Sequence, residues 1–566
     1  MSTPIATLLQ QAVDLHRAGR IEDAVRAYKK ILRKDARAAG ALNLLGLAQF
    51  QLGHLPEAAE ALTRAAKLSP ELPNVDFNLG RVLYAQGRHA EALQHYQTAV
   101  ARAPSDAEAL TNLGATLTAL GRNAEAIEYY QRAVAIDPRL AESWFNLGRE
   151  FQAAERFEDA ATAFRHALES RPNHSATMSR LAYVLNRLDR SREAATLLNA
   201  LAAAEPDVAD HHMNLANTLA TEGRDDEALK AYDRAIKLDP GLLQTLWNKG
   251  QLLLSRGRFA DGWPFYDQRW NDASSIKMVR RPYSAPRWAG ERVAGTLLVW
   301  AEQGLGDQVL HSSMMADLQK RAGKVVLEVD RRLVPLLARS FPGIDVVAQE
   351  TAVFAGPIDA QTALGDIGQY LRLDAASFAP SAGGYLAADP ERAAALQTRL
   401  HGDGRRVIGL SWGSTNKDIG RFKSAQLSEL LPVLQLPGCR FIDLQYGDTR
   451  ADRAQAEAAT GVHIEHLDDI DNTNDIDGLA ALMTACDAVV TVSNTNAHLA
   501  AALGKPTFVL LSDAAGLIWY WMKRGESTPF YANARLFRKG HDQSWTELAA
   551  NAVAPQLKNY LDSLGK

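Results

Sequence analysis

Asp307 closes the turn Glu302-Gln-Gly-Leu-Gly-Asp307, which follows an apolar run from Thr296 to Trp300. The run, the turn and the later apolar positions Val309, Leu310, Met314, Met315 and Leu318 read as strand, turn and helix. Gly304 and Gly306 let the backbone bend sharply, so amides at the helix start can face a phosphate or another anion, with Asp307 at the mouth of the crevice. Many helices begin on Gly and Asp only as a cap, so this turn does not decide its own role. A second cluster lies at Val492-Ser-Asn-Thr-Asn-Ala-His498. Asn494, Thr495 and Asn496 end an apolar run and begin a helix expected over 497–503, which again points N–H groups at an anion. His498, in its first turn, can donate to a phosphate; the rival reading is a structural histidine. Lys417, Arg421 and Lys423 follow Trp412 in a polar loop and can reach a phosphate or a sugar carboxylate, unless they are a solvated charge run. Gln445, after the run from Cys439 to Leu444, can contact a base or ribose.

Other clusters read as structural. Asp469 and Asp471 have the spacing of a metal-binding pair but precede a helix starting near Asp475, where acidic residues cap. His463 and His466 span a strand end, where side chains three apart point to opposite faces, a poor zinc pair. Trp519, Tyr520, Trp521, Phe530 and Tyr531 can stack on a ligand or pack the lobes, and packing is the expectation. Cys439 and Cys486 are too few for a disulfide framework and read as small buried apolar residues.

Two kinds of element must hold these residues. From about residue 293 apolar strands alternate with amphipathic helices: 296–300, 324–329 and 345–347, an irregular region to about 400, then 406–412, 439–445, 461–465, 488–492 and 507–511. Such alternation implies parallel sheets covered by helices in two successive lobes, with ligand loops at the carboxyl ends of the strands. The expected bounds are 293–404 for the first lobe and 405–566 for the second, behind a polar, proline-containing docking linker over 271–292.

Before them, residues 1–270 carry a period of 34 residues, with Gly19, Gly53, Gly87, Gly121, Gly223 and Gly257 on one grid and Glu155 and Asp189 filling its gaps. Ala24, Ala58, Ala92, Ala126, Ala160, Ala194 and Ala228 recur five residues later, where packed helices admit only a small side chain; a large residue follows one helical turn on, from Tyr28 to Tyr266. Prolines from Pro70 to Pro240 end the units. This pattern resembles the tetratricopeptide repeat family, in about eight units, and implies an all-α superhelix lined by the first helix of each pair. On that helix Asn78, Asn112, Asn146, Asn214 and Asn248 share one grid point, with Arg180 at the gap. A ladder of primary amides can grip the backbone of an extended peptide without reading its side chains. It resembles the asparagine ladder of O-linked N-acetylglucosamine transferases.

The turn ending at Asp307, Gly409-Leu-Ser-Trp412, Phe441-Ile-Asp-Leu-Gln445-Tyr-Gly447 and the motif from Val492 to Pro506 resemble two-lobed (GT-B), metal-independent glycosyltransferases related to the lipopolysaccharide heptosyltransferases. Repeats fused to such a half look like bacterial flagellin glycosyltransferases. The resemblance implies Asp307 as general base for a Ser or Thr hydroxyl, and Gly304, Gly306, Trp412, Lys417, Arg421, Lys423, Gln445, Asn494, Thr495, Asn496 and His498 around a nucleotide-sugar donor, without metal or bound cofactor. Where the heptosyltransferase pattern has Asp, this chain has Asn494, which argues against ADP-heptose and favours a more anionic donor, such as a CMP-linked nonulosonic acid of the pseudaminic type.

A net charge of -4 gives no reason to expect nucleic acid or an anionic membrane as partner, and no apolar segment approaches a span of about 20 residues. A cytoplasmic protein O-glycosyltransferase is therefore expected, with an acceptor such as flagellin in the repeat groove. The rivals are a non-catalytic adaptor with a degenerate transferase fold and a transferase acting on saccharide or lipid.

Overall fold

The computed structural model describes residues 5–271, 280–349, 354–378, 384–414, 420–512, 518–540 and 543–565, without the side chains of 421 and 422. The chain divides into two compact units, Met1–Pro206 and Asp207–Lys566. The first consists of six antiparallel helix pairs, from Ile5–Arg17 and Ile21–Lys34 to Ser175–Arg187 and Ser191–Ala204. The small-residue grid is its packing seam: Ala24, Ala58, Ala92, Ala126, Ala160 and Ala194 are all completely buried. The glycine grid is the turn between the helices of a pair, where Gly19, Gly53, Gly87 and Gly121 take positive φ of 74 to 78°. Glu155 and Asp189 take the same left-handed turn at φ 57 and 58°, a conformation that costs a side-chain-bearing residue of order 1 kcal/mol or more. The geometry of the repeat, not the glycine, sets the bend.

The second unit begins with two more pairs, Ala209–Thr221 with Asp225–Leu238 and Leu243–Ser255 with Phe259–Tyr266. Two parallel sheets follow. Strands β1 (Val293–Trp300), β2 (Ala322–Val329), β3 (Ile344–Ala348) and β4 (Ala360–Ala363) form the first, in the order β3-β2-β1-β4. Strands β5 (Arg406–Ser411), β6 (Cys439–Asp443), β7 (Ile464–Glu465), β8 (Ala488–Val492), β9 (Thr507–Ser512) and β10 (Ala534–Lys539) form the second, in the order β10-β9-β8-β5-β6-β7. Strands β1, β2, β5, β6, β8 and β9 are near-continuous apolar runs because both faces are covered by helices. β4 and β10 were not expected: Ala-Gln-Thr-Ala and Ala-Arg-Leu-Phe-Arg-Lys lie on sheet edges, where one flank needs no partner and polar residues are tolerated.

In each sheet the strand order reverses beside the first strand, between β1 and β4 and between β5 and β8. These two switch points are where α/β sheets open a crevice. The helix Pro390–Leu400 packs on Ile476–Ala485 beside the second sheet, and Tyr385 and Leu386 donate their backbone N–H groups to Ala502. From Tyr385 on, the chain therefore runs against helices that cover the second sheet. The last repeat is docked on the α/β part by aromatic packing: Trp263 donates to the Arg372 carbonyl at 2.8 Å and meets Trp519 edge-on at 5.3 Å.

Candidate active site

The helix Leu305–Ser312 starts at the carboxyl end of β1, and Thr495–Ala502 starts at the carboxyl end of β8. The two pack start to start, with Gly306 at the crossing: a Cβ there would lie 3.0 Å from His498 Cδ2 and 3.5 Å from Thr495 Cα. Both expected clusters thus meet in one cleft between the lobes.

Asp307 sits in this cleft, partly open to solvent and enclosed by both lobes. Burial pushes its carboxyl up to about 6, against hydrogen bonds from the Tyr520 hydroxyl and the Gly304 amide and the charge of Lys423. The Gly304 amide, at the start of the helix, is among the groups that stabilise the charged form of Asp307. Lys423 ends the short helix Gly420–Lys423 and is 7% exposed. Burial brings its ammonium down to about 8, and Asp307 opposes the drop. His498 is buried, its Nδ1 3.0 Å from the Tyr531 hydroxyl and its ring stacked on Trp521 at 4.7 Å. Burial, then the charge of Lys423, holds it down to about 3, so it is a neutral ring at working pH.

Several expected donor contacts turn out to be committed inside the protein. Asn494 caps the helix, its Oδ1 accepting from the amides of Asn496 and Ala497, while its Nδ2 donates to Ser411 Oγ at 2.8 Å and the Gly413 carbonyl at 2.9 Å. The amides that the sequence offered to an anion are therefore already bonded, because asparagine is among the strongest N-caps. Asn496 donates to Ser411 Oγ and the Leu444 carbonyl. Gln445 Oε1 accepts from Ser411 Oγ, Trp412 N and Gly413 N at 2.8 to 3.0 Å. Together these three amides staple the loops after β5, β6 and β8. Thr495 is half-buried beside Gly306, and Gly304 is exposed. Lys417 lies outside the described residues, as does the side chain of Arg421.

Beside this staple is a cavity of about 500 Å³, walled by Trp412, Ser414, Gln426, Tyr446, Asp448 and Asp452 among others. Trp412 is held flat against it by donating Nε1 to Asp452 at 2.9 Å. Beneath the loop Asp443 is completely buried and accepts from Gln445 N, while His466 Nδ1 lies 3.0 Å from it. Its neighbour His463 instead pairs with Glu457, so the two histidines diverge as expected. Asp471 caps the amides of Thr473 and Asn474, and Asp469 pairs with Arg399. Among the described residues no group of three or more His, Cys, Asp or Glu could hold a metal.

Three residues of the cleft escaped the sequence reading. Tyr520 was assigned to packing, yet it bonds Asp307. Arg269, fully buried after the last repeat, pairs with Glu302 at 3.2 Å and with Asp366 at the ends of β1 and β4, fixing the turn that carries Asp307. His311, one helical turn after Asp307, is buried, and among the described residues neither ring nitrogen has a hydrogen-bond partner. A polar residue on the apolar face of a helix was the available signal for His311; nothing local marks Arg269.

In the repeats, Asn78 donates to Asn43 at 3.0 Å, Asn248 donates to Asn217 at 2.9 Å, and Asn112 bonds back to the Glu108 carbonyl. Asn146 lines an open cavity of about 360 Å³. Asn214 is half-buried on the same grid point of its helix.

The fold and the cleft define a repeat protein whose last two helix pairs are fused to an α/β half with parallel sheets. A tetratricopeptide repeat model matches residues 9–73, 77–141, 145–191 and 180–242. Protein FlbA of Caulobacter vibrioides is 33% identical over 324 residues, 54% of this chain and 53% of that protein. This length exceeds the helical array from Ile5 to Tyr266, so the similarity reaches outside the repeats. Cellulose synthase 2 operon protein C of Komagataeibacter xylinus is 41% identical over 68 residues, 12% of this chain and 5% of that one. The chain spans about half the length of the first relative and a small part of the second. Among solved structures, the C-terminal part of a TPR repeat-containing protein from Cytophaga hutchinsonii aligns at TM-score 0.37 and 18% identity, over 42% of this chain and 98% of that one.

Proposed function

We propose that the chain is a protein O-glycosyltransferase that takes its sugar from a nucleotide donor and its acceptor from the repeats. One observation carries this: a carboxylate titrating near 6, at the carboxyl end of β1, faces a buried lysine across a cleft between two parallel-sheet lobes. A Ser or Thr hydroxyl is a poor nucleophile until a base takes its proton as the bond to the anomeric carbon forms, and Asp307 is ionised and poised for this at neutral pH. The Tyr520 hydroxyl orients the carboxylate. Lys423 offsets charge on the departing phosphate, and His498, neutral, lends a polar wall to the cleft.

The cavity walled by Trp412 and Tyr446 carries Asp448 and Asp452 and, among the described residues that line it, no cation, so it suits the uncharged nucleoside end of the donor, with the phosphate directed to Lys423. Asn494 and Asn496 position that cavity from behind, while Gln445 is part of its wall. A CMP-linked nonulosonic acid is the first donor to test, its carboxylate matched to Lys423, with flagellin as the first acceptor and the cytoplasm as the compartment. No helix among the described residues is long and apolar enough to cross a membrane.

The test is thermal unfolding with CMP, UDP, GDP and ADP in turn, followed by transfer from the matching nucleotide sugar to an acceptor protein. A nucleotide at 100 times its Kd stabilises the native state by about 2.7 kcal/mol. A shift with one nucleotide, and transfer that Asp307→Asn abolishes, is the expected result. No shift with any of them and no transfer would leave the α/β half a scaffold.

A further inference from the structure

Two sets of arginines in the first unit differ in their company. Arg20, Arg88, Arg122, Arg156 and Arg190, each one residue past an interhelix turn, pair with a carboxylate three residues on, from Asp23 to Glu193. Arg81, Arg149 and Arg180 lie on the first helices of their pairs and make no ion pair among the described residues. Arg81 lies over the rings of Phe50 and Phe77 at 5.2 and 5.8 Å, and Arg180 over Phe145 at 5.9 Å, with only Gln152 at 3.4 Å as a polar partner. Arg149 is exposed.

Arg180 occupies the grid point that carries Asn in the other ladder repeats, and Arg149 follows Asn146 by three residues, on the same face of its helix. The two residues thus lie on the first helices of successive repeats, at and one turn beyond the ladder point, and the charge of Arg149 adds to burial in lowering the pKa of Arg180. Beside them lies the cavity of about 360 Å³, walled by Phe145, Asn146, Arg171, His174, Thr177 and, at its rim, Glu142. Two cations without a counterion repel each other, and a carboxylate placed between them relieves that repulsion while accepting charge-assisted hydrogen bonds from two planar forks.

We propose that the face formed by Asn146, Arg149 and Arg180 binds an extended, acidic protein segment. A side-chain carboxylate of the segment sits between Arg149 and Arg180, its backbone meets the Asn146 amide, and an adjacent apolar side chain enters the cavity against Phe145. Charge complementarity selects this partner. A nucleic-acid strand would carry its phosphates past the exposed Glu142, whereas a peptide with spaced carboxylates need not. The ladder alone would hold any backbone; the arginine at its gap adds a preference for sequence. The inference rests on the repeats as the acceptor-holding part only for which protein supplies the segment.

The experiment uses the full chain and fluorescence anisotropy with two labelled probes: a short peptide of Asp, Ser, Gly and one Phe, and the same peptide with every Asp replaced by Asn. The acidic peptide is expected to bind at least tenfold more tightly. Arg180→Asn, which installs the residue its neighbours carry at this point and so keeps the fold, should erase most of that preference, and Arg149→Gln should reduce it, each with an unchanged Tm. Equal affinity for the two peptides, no measurable binding of the acidic one, or an unaltered preference in Arg180→Asn would overturn the proposal, as would an oligothymidylate that binds as tightly and displaces the peptide. Neither donor nor turnover enters this assay. A protein that binds the acidic peptide but transfers no sugar would therefore sink the transferase reading and leave this one standing.

Discussion

The turn after β1 and the turn after β8 are built alike, each a parallel strand breaking into a helix at a switch point, and they treat their polar groups in opposite ways. After β8, Asn494 and Asn496 spend their amides on helix amides, Ser411, Gly413 and Leu444. After β1, Asp307 has its carboxyl raised by burial, and His311 one turn on has no hydrogen-bond partner among the described residues. Unsatisfied or destabilised groups persist where the surroundings impose them, and such sites cluster where chemistry is done. On the proposed reading the first turn does the work and the second frames it.

If that contrast holds, Asp307→Asn should lower the transfer rate by about 10²–10⁴-fold with nucleotide binding unchanged. In the same variant the native state should gain about 1–2 kcal/mol at pH 8 after allowance for partial exposure. The sign follows from the raised pKa: stability from this carboxyl is full below its unfolded value and is lost as pH rises through about 6, so removing its charge helps most at high pH. Asn494→Ala should do the reverse, costing about 2–4 kcal/mol through the lost cap and the stranded Ser411 and Gly413 groups, read by chemical denaturation. An Asn494 variant of undiminished stability with loss of donor binding alone would break the comparison.

A finer test is the pH profile of kcat/KM. The acid limb should fall below about 6 as Asp307 is protonated, and the alkaline limb above about 8 as Lys423 loses its charge. Lys423→Gln should raise the KM for the donor, abolish the alkaline limb and move the acid limb upward, because Asp307 loses the charge that opposes its rise. The smallest expected effect belongs to Gly306→Ala, whose new methyl must be accommodated 3.0 Å from His498. A fall in kcat of a few-fold with little change in Tm would mark misaligned lobes; no change in either would mean that the two turns are not held in register there.

What the sequence disclosed follows range. The 34-residue period exposed every helix pair, because each repeat packs against near neighbours and local spacing carries that information. The apolar runs of β1, β5, β6 and β8 were legible for the same reason, whereas β4 and β10, edge strands with polar residues, were not. In the cleft, Asp307 and Lys423 were named from local motifs. Tyr520 and Arg269 were missed because their partners lie far away in the chain, and the internal bonds of Asn494, Asn496 and Gln445 were not legible because an amide shows nothing in sequence of which groups it will meet.

One buried charge sets where the gene can be cut. The linker after 270 looks like a seam between interchangeable parts, yet Arg269 lies before it and neutralises Glu302 and Asp366 beyond it. A fragment starting at 293 would strand two carboxylates in the interior and bare the tryptophan face that Trp263 covers. The compact unit that holds the sheets starts at Asp207, two repeats upstream, so an exchange of repeat arrays is expected to keep stability only if that pair travels with the α/β half.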